Sequence, residues 1–331
     1  PFTENQAFGA YLSFCIFSIW ISRSYLIQVG RRILGKPSSI DDTYEPMRYR
    51  SAAAGIVLGV AGLVAFSTYL GLTWWIAIIF FLMYFALALA ITRMRAELGT
   101  PVHDLHFTGP DEILTRVGGS QSYNADNLTV FAIYFWFNRA YRSHPMPHQL
   151  EAYKLAEQTR TDYRKWTSAM LWLGSISVFV AFWTILYLMY HYGAEAKSQL
   201  TFGAEAYDNL TTWLKSPTPS FPSGNSFREL MAIFVGFGIA ASLQWLRIRF
   251  PWWPLHPLAF AVTSSWEINL VWGPLFLAWI FKSLILRYGG RGGFQRALPF
   301  FIGLMLGQFV TGSLWNIYGI AAGLPTYQFW Q

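Results

Sequence analysis

Cysteine is almost absent from this sequence. Cys15 is the single one, so neither an intramolecular disulfide nor a cysteine-built zinc site is available. Placed in an apolar run, Cys15 reads as a small core hydrophobe. Charge is scarce as well: 12% of residues are Asp, Glu, Lys or Arg, against about 25% in soluble domains. The sequence has no GxSxG elbow, Walker loop, Rossmann glycine pattern, HExxH or CxxC, which removes the best-marked hydrolase, nucleotide and zinc-enzyme classes. Its six histidines avoid the middles of the apolar runs, which argues against a bundle ligating haem or chlorophyll. No cofactor is implied.

What is abundant is apolar and aromatic surface. Hydrophobic residues make up 54% of the 331 and aromatics 19%, with 16 Trp. One soluble core cannot hide that much apolar area, so the expected solvent is the lipid bilayer. Trp is at home at bilayer interfaces, where ring and polar edge meet different media. The net charge of +7 fits the positive-inside bias of membrane loops. The bases sit at the ends of apolar runs and form no stripe, so nucleic acid is not an expected partner.

About 20 apolar residues suffice to cross a bilayer as a helix. On that measure the sequence predicts an all-α polytopic bundle, an integral membrane protein of about 6–8 membrane segments. The expected spans lie near 8–30, 51–70, 72–92, 166–190, 228–247 and 297–322. Between them, 254–287 reads as a broken or paired segment, or a re-entrant hairpin, because Pro251, Pro254 and Pro257 interrupt the run. The polar stretch 93–165 is expected as a cytoplasmic loop, with Leu128–Phe137, too short to span, as an interfacial or re-entrant piece. The base-rich segments 31–50 and 93–165 alternate with base-poor 71–73 and 191–227, which puts the former pair inside. Glycines at GxxxG spacing, Gly55 and Gly59 followed by Gly62, and later Gly303 and Gly307, offer close helix contact. The start at Pro1, amid a polytopic pattern, reads as part of a longer chain.

A charge in hydrocarbon costs at least about 2.5 kcal/mol and asks for a reason. Glu267 is the leading candidate. It lies in the polar knot Thr263-Ser264-Ser265-Trp266-Glu267-Ile268-Asn269, where a broken helix would expose backbone groups of the kind that build transporter sites. Glu267 would carry a proton or cation, with Ser264, Ser265 and Asn269 as hydrogen-bonding neighbours. Arg93 and Glu97, four residues apart at the end of an apolar run, can pair on one helix face. Arg93 would then face an anionic group of a solute. A metal is a further expectation, on His103, Asp104 and His106 with Asp111 and Glu112 nearby, although the spacing matches no zinc signature.

The stretches Arg93-Met-Arg-Ala-Glu-Leu-Gly-Thr-Pro and His256-Pro-Leu-Ala-Phe, with Trp272-Gly-Pro and the late Gly-rich span, carry a resemblance. The chain resembles the C-terminal half of an uncharacterised family of large prokaryotic polytopic membrane proteins, itself distantly similar to oligopeptide transporters. The resemblance implies further spans upstream and location in the cytoplasmic (inner) membrane of a prokaryote. Three readings follow. One is a secondary transporter or permease, or half of one, for a small polar or peptide-like solute coupled to a proton or cation. Another is a non-catalytic structural subunit of a larger assembly, partnered by copies of itself or other membrane subunits. The third is a membrane-embedded metal-dependent enzyme.

Overall fold

A computed structural model describes residues 2–99, 108–141, 144–193 and 201–324, apart from the side chains of residues 201, 202, 266 and 267. Among the described residues every regular element is a helix. In order they are α1 (Thr3–Ile21), α2 (Arg23–Ile33), α3 (Tyr49–Tyr69), α4 (Trp74–Leu98), α5 (Pro110–Gly118) and α6 (Ala125–Asn138). There follow α7 (Pro145–Thr159), α8 (Tyr163–Tyr192), α9 (Thr201–Lys215), α10 (Gly224–Arg249), α11 (Pro257–Ala261) and α12 (Trp266–Ala322). Local chemistry sets the boundaries. The Asn124 side chain accepts from the Asn127 N–H at 2.9 Å to open α6, and Ser223 and Ser226 form a capping box for α10. Gly71, at φ 108°, turns the chain between α3 and α4, and Gly99, at φ 58°, ends α4.

Among the described residues, five helices are long and apolar enough to cross a membrane, or six if α1 and α2, bent by 65°, count as one. The fifth is the 55-residue stretch Ile268–Ala322. At 1.5 Å per residue it would reach about 80 Å if straight, far beyond a hydrocarbon core of about 30 Å. It bends at Gly290, whose φ 56°, ψ −159° suits only glycine. The Ile285 carbonyl then lies 3.7 Å from where a Gly293 Cβ would stand, and the Lys282 ammonium lies 5.9 Å from the Phe294 ring. The two limbs meet at a tip carrying Arg287, Arg291 and Arg296.

The chain forms two compact units, residues 1–269 and 270–331. At the centre of the first, α1 and α10 cross at backbone contact. A Cβ at Gly9 would fall on the Ile233 carbonyl, and one at Gly236 on the Gln6 carbonyl. Partners ascend together: Asn5 with Glu229, Gly9 with Ile233 and Phe237, Ser13 with Gln244. The two helices therefore run parallel. Phe8, Tyr11 and Phe14 of α1 bury against Leu87, Ile91 and Met94 of α4 and Leu258 of α11. The segment expected as interfacial or re-entrant is the body of α6, whose Leu128, Val130, Phe131 and Tyr134 bury against Ile76 and Phe80 of α4. The sequence 250–265 holds a break: α11 passes into a short 3-10 turn, and Ser265 is extended before α12 begins.

α5 and α6 form a hairpin beside α4. Its tip is sewn to the loop before α10: the Gln121 N–H donates to the Thr218 carbonyl at 3.1 Å, and the Phe221 N–H to the Gly118 carbonyl at 3.1 Å. Asn127 accepts from the Thr73 N–H at 2.8 Å, so α6 sets out from the start of α4. It ends near Tyr141, whose ring lies 5.2 Å from that of Tyr84, midway along α4. The hairpin thus enters alongside α4 to mid-length and no further.

The GxxxG-spaced glycines play no part in this packing. A Cβ at Gly55, Gly59, Gly62, Gly303 or Gly307 would meet open space. Gly236→Leu should overpack the α1–α10 crossing and lose at least about 1–3 kcal/mol. Gly59→Ala should change stability by less than about 1 kcal/mol, in the stabilising direction. Thermal unfolding of the two variants in detergent micelles reads the difference; equal behaviour would contradict the crossing.

Candidate functional site

Of the sequence-predicted residues, Arg93 and Glu97 fall together at the last turns of α4. Arg93 Nε and Nη2 lie 2.7 and 2.6 Å from Glu97 Oε1. They line a groove of about 470 Å³ with Phe14, Phe17, Ser18 and Ile21 of α1, Gln244, Arg247 and Ile248 of α10, and Pro257. α1 and α10 run parallel, so both present their last turns here, with apolar walls and polar ends. Gln244 donates to Ser13 Oγ at 3.2 Å and leaves its Oε1 without a partner. Arg247 touches His256. Burial and the Arg247 guanidinium push that imidazole below its ordinary value.

Ser264, Ser265 and Asn269 sit at the break between α11 and α12. The Ser264 hydroxyl is buried without a hydrogen-bond partner, Ser265 is buried, and Asn269 is exposed. The Glu267 side chain lies outside the described residues, as do His103, Asp104 and His106. Among the described residues no group of three His, Cys, Asp or Glu is placed to hold a metal.

A second polar constellation was hidden in the sequence. At the outer end of α5, the Arg116 guanidinium meets Glu4 of α1 and lies 3.2 Å from Glu112 one turn earlier. Asn5, buried beside Glu4, donates to the backbone carbonyl of Glu229 at 3.2 Å and also to its carboxylate. One cation thus ties α5 to α1, and one amide ties α1 to α10. Deeper, five residues before Arg116, lies Asp111, 1% exposed, facing Asn138 of α6, 0% exposed. Both Asp111 oxygens and both polar atoms of the Asn138 amide lack a hydrogen bond of good geometry, although the amide stands close enough to pull the Asp111 carboxyl down against its burial. Gly109 makes the approach feasible. A Cβ there would fall on Asn138 Oδ1 and stand 2.6 Å from Asp111 Oδ1.

Burial first, and the neighbouring Glu112 charge second, push the Asp111 carboxyl up to about 7. Burial also raises Glu112, against the pull of Arg116. Tyr141 is held well above its usual range by burial and by the charges of Tyr84 and Asp111. The first turn of α5 favours a carboxylate, but desolvation is the larger effect. The sequence offered Asp111 and Glu112 only as loop carboxylates beside two histidines. Their burial depends on Asn138, Glu4 and Glu229, which no local pattern connects to them.

The two sites lie at different levels of one scaffold. The groove is at the end of α4 and the Asp111 pair is near its middle, about 15 Å apart along the axis. Leu87, Ala90, Ile91 and Met94 fill the layer between with apolar side chains. The chain belongs to DUF6785, a family of unknown function, which matches residues 1–331. Comparison with curated proteins and with solved structures finds no match.

The raised carboxyl has a stability consequence of fixed sign. Between its ordinary value of 3.8 and about 7, Asp111 keeps its proton in the fold and loses it in the unfolded chain. Stability contributed by this group therefore falls as pH rises across that window. Asp111→Asn should remove the slope. Relative to the parent, the variant should gain stability above the window and nothing below it. Unfolding midpoints in detergent over a pH series check this; parallel curves for the two proteins would contradict it.

Proposed function

We propose that the chain is a secondary transporter or permease, or half of one, for a small peptide-like solute. It would be driven by a proton or cation gradient in the cytoplasmic membrane of a prokaryote. The groove between α1, α4 and α10 carries this reading. It places two guanidinium groups and one carboxylate within one recess at the ends of three apolar helices, with the buried Gln244 in its wall. A short peptide presents the complement: a carboxylate for Arg247 and Arg93, and an ammonium for Glu97. The pairing of Arg93 with Glu97 satisfies both when no solute is bound. A solute with two charged ends can replace each partner without leaving a bare charge.

The resemblance read from the sequence, to a family distantly similar to oligopeptide transporters, points the same way as an analogy only. The α5–α6 hairpin adds a structural argument. It brings a helix N-terminus and a carboxyl to mid-length of a spanning helix, an arrangement that suits substrate and ion sites in discontinuous-helix transporters.

One observation favours a second reading, a structural subunit of a larger membrane assembly. α8 is apolar over most of its 30 residues and has no buried residue. Its anchors are at its base, where Arg164 donates to the Thr43 carbonyl at 2.6 Å and Thr167 bonds Tyr153 at 2.9 Å. Such a helix offers its whole perimeter to lipid, to another copy or to other membrane subunits.

Uptake of radiolabelled dialanine into proteoliposomes under an imposed pH gradient separates the two. Transport predicts saturable uptake that falls at least about tenfold in Arg247→Ala and also falls in Glu97→Gln. Uptake equal to that of protein-free vesicles, for dialanine and for a panel of dipeptides and free amino acids, would leave the subunit reading in its place.

A further inference from the structure

The Asp111–Asn138 couple carries an inference that rests on the transport reading for its purpose but not for its existence. Four polar atoms of two fully buried side chains face one another without partners. Buried polar groups are nearly always paired, so each orphan asks what normally satisfies it. One added proton answers for both sides. A protonated Asp111 has an O–H to donate to Asn138 Oδ1, the oxygen that Gly109 allows to come close, and its carbonyl oxygen then accepts from the amide. We propose that Asp111 and Asn138 form an exchangeable proton-binding site at the inner end of the α5–α6 hairpin, and that this site is the coupling group of the transporter.

The surrounding charges give the proton a route and a direction. Side-chain exposure falls inward from 37% at Glu4 to 15% at Glu112, and then to the buried Asp111. Arg116 is the cation of this path, set against Glu4, Glu112 and Glu229, so the chain of groups carries excess negative charge at the outer end. From the other packed elements, α6 and its following turn contribute Arg139, Tyr141 and His144. Arg139 is turned toward Glu205 of α9 at 3.1 Å. Tyr141 and His144 stack on each other and pack, tilted, against Tyr84 of α4. Neither Asp111 oxygen accepts a hydrogen bond of good geometry, so its proton is the ready means of neutralising it. Loss of the proton would leave a buried carboxylate with only the Asn138 amide beside it to donate to it. The strain falls on the α5–α6 hairpin, which rests on the same α4 whose last turn carries the groove.

Infrared difference spectroscopy on the full chain in proteoliposomes, taken between about pH 5 and about pH 9, tests the site without any solute. The expected result is a protonated-carboxyl C=O band that titrates near neutrality, is lost in Asp111→Asn, and moves to lower pH in Glu112→Gln because a like charge is removed. The Glu112 variant keeps the test open if Asp111→Asn does not fold. A band that survives in folded Asp111→Asn, or no band titrating near neutrality, overturns the proton site. So does a midpoint that shifts with added sodium, which would identify a cation there instead. Dialanine uptake in the same vesicles separates the two claims. A titrating band with no uptake of dialanine or of the dipeptide and amino-acid panel keeps the proton site and overturns its coupling role together with transport. Uptake that remains proton-driven in Asp111→Asn overturns the coupling role alone.

Discussion

The close crossing of α1 and α10 is the contact on which the first unit is organised. Two glycines let the backbones meet where any larger residue would strike a carbonyl. Because lipid is as apolar as leucine, no hydrophobic force drives such helices together, and fit at close range takes its place. The consequences spread outward. α4 and α11 bury their apolar residues against this pair. Asn5 reaches Glu229 only because the helices are this near. The parallel sense puts Glu4 and Glu229 at one end, next to Arg116, and Phe17 and Arg247 at the other, around the groove. One crossing therefore positions an acidic end and a basic end on the same scaffold.

Membrane helices were legible in the sequence because hydropathy over 20 residues is a local property. The all-helical bundle and its long apolar helices follow from it directly. Packing was not legible in the same way. Glycine spacing pointed to Gly55, Gly59, Gly303 and Gly307, which face open space, whereas the glycines that matter occur one on each helix, 227 positions apart (236 − 9). A spacing rule describes one helix and cannot say which face a partner will take. The residues 128–137 illustrate the same limit. Their length excludes a span, but only the aromatic surface of α4, with Phe80 stacked 6.0 Å from Phe131, decides that they pack inside the bundle.

The candidate site was partly legible. Arg93 and Glu97 are readable because an ion pair one helical turn apart is written in four residues. Asp111 is the opposite case. In sequence it sits among polar neighbours and looks like a solvated loop carboxylate, and a metal was the chemistry that its histidine neighbours suggested. Its environment is assembled from α5 and α6, with the acidic ends of α1 and α10 beyond. The signal within reach was Gly109-Pro110-Asp111: a proline at the first helical position places the following carboxylate on an N-terminal turn. What no local signal conveys is that this turn begins deep beside α4.

The α1–α10 contact also bears on how the protein is made. Asn5 and Glu229 are 224 residues apart, and chains are synthesised at about 5–20 residues per second. The first helix therefore waits roughly 11 to 45 seconds before its partner leaves the ribosome. During that interval its contact face, with Gly9 between Asn5 and Ser13, lies against lipid or the insertion machinery. A helix in that position must be held in the membrane by its own hydropathy and by the arginines that follow it. Membrane insertion and tertiary closure are thus separate events in time for this chain, and a defect in the first need not resemble a defect in the second.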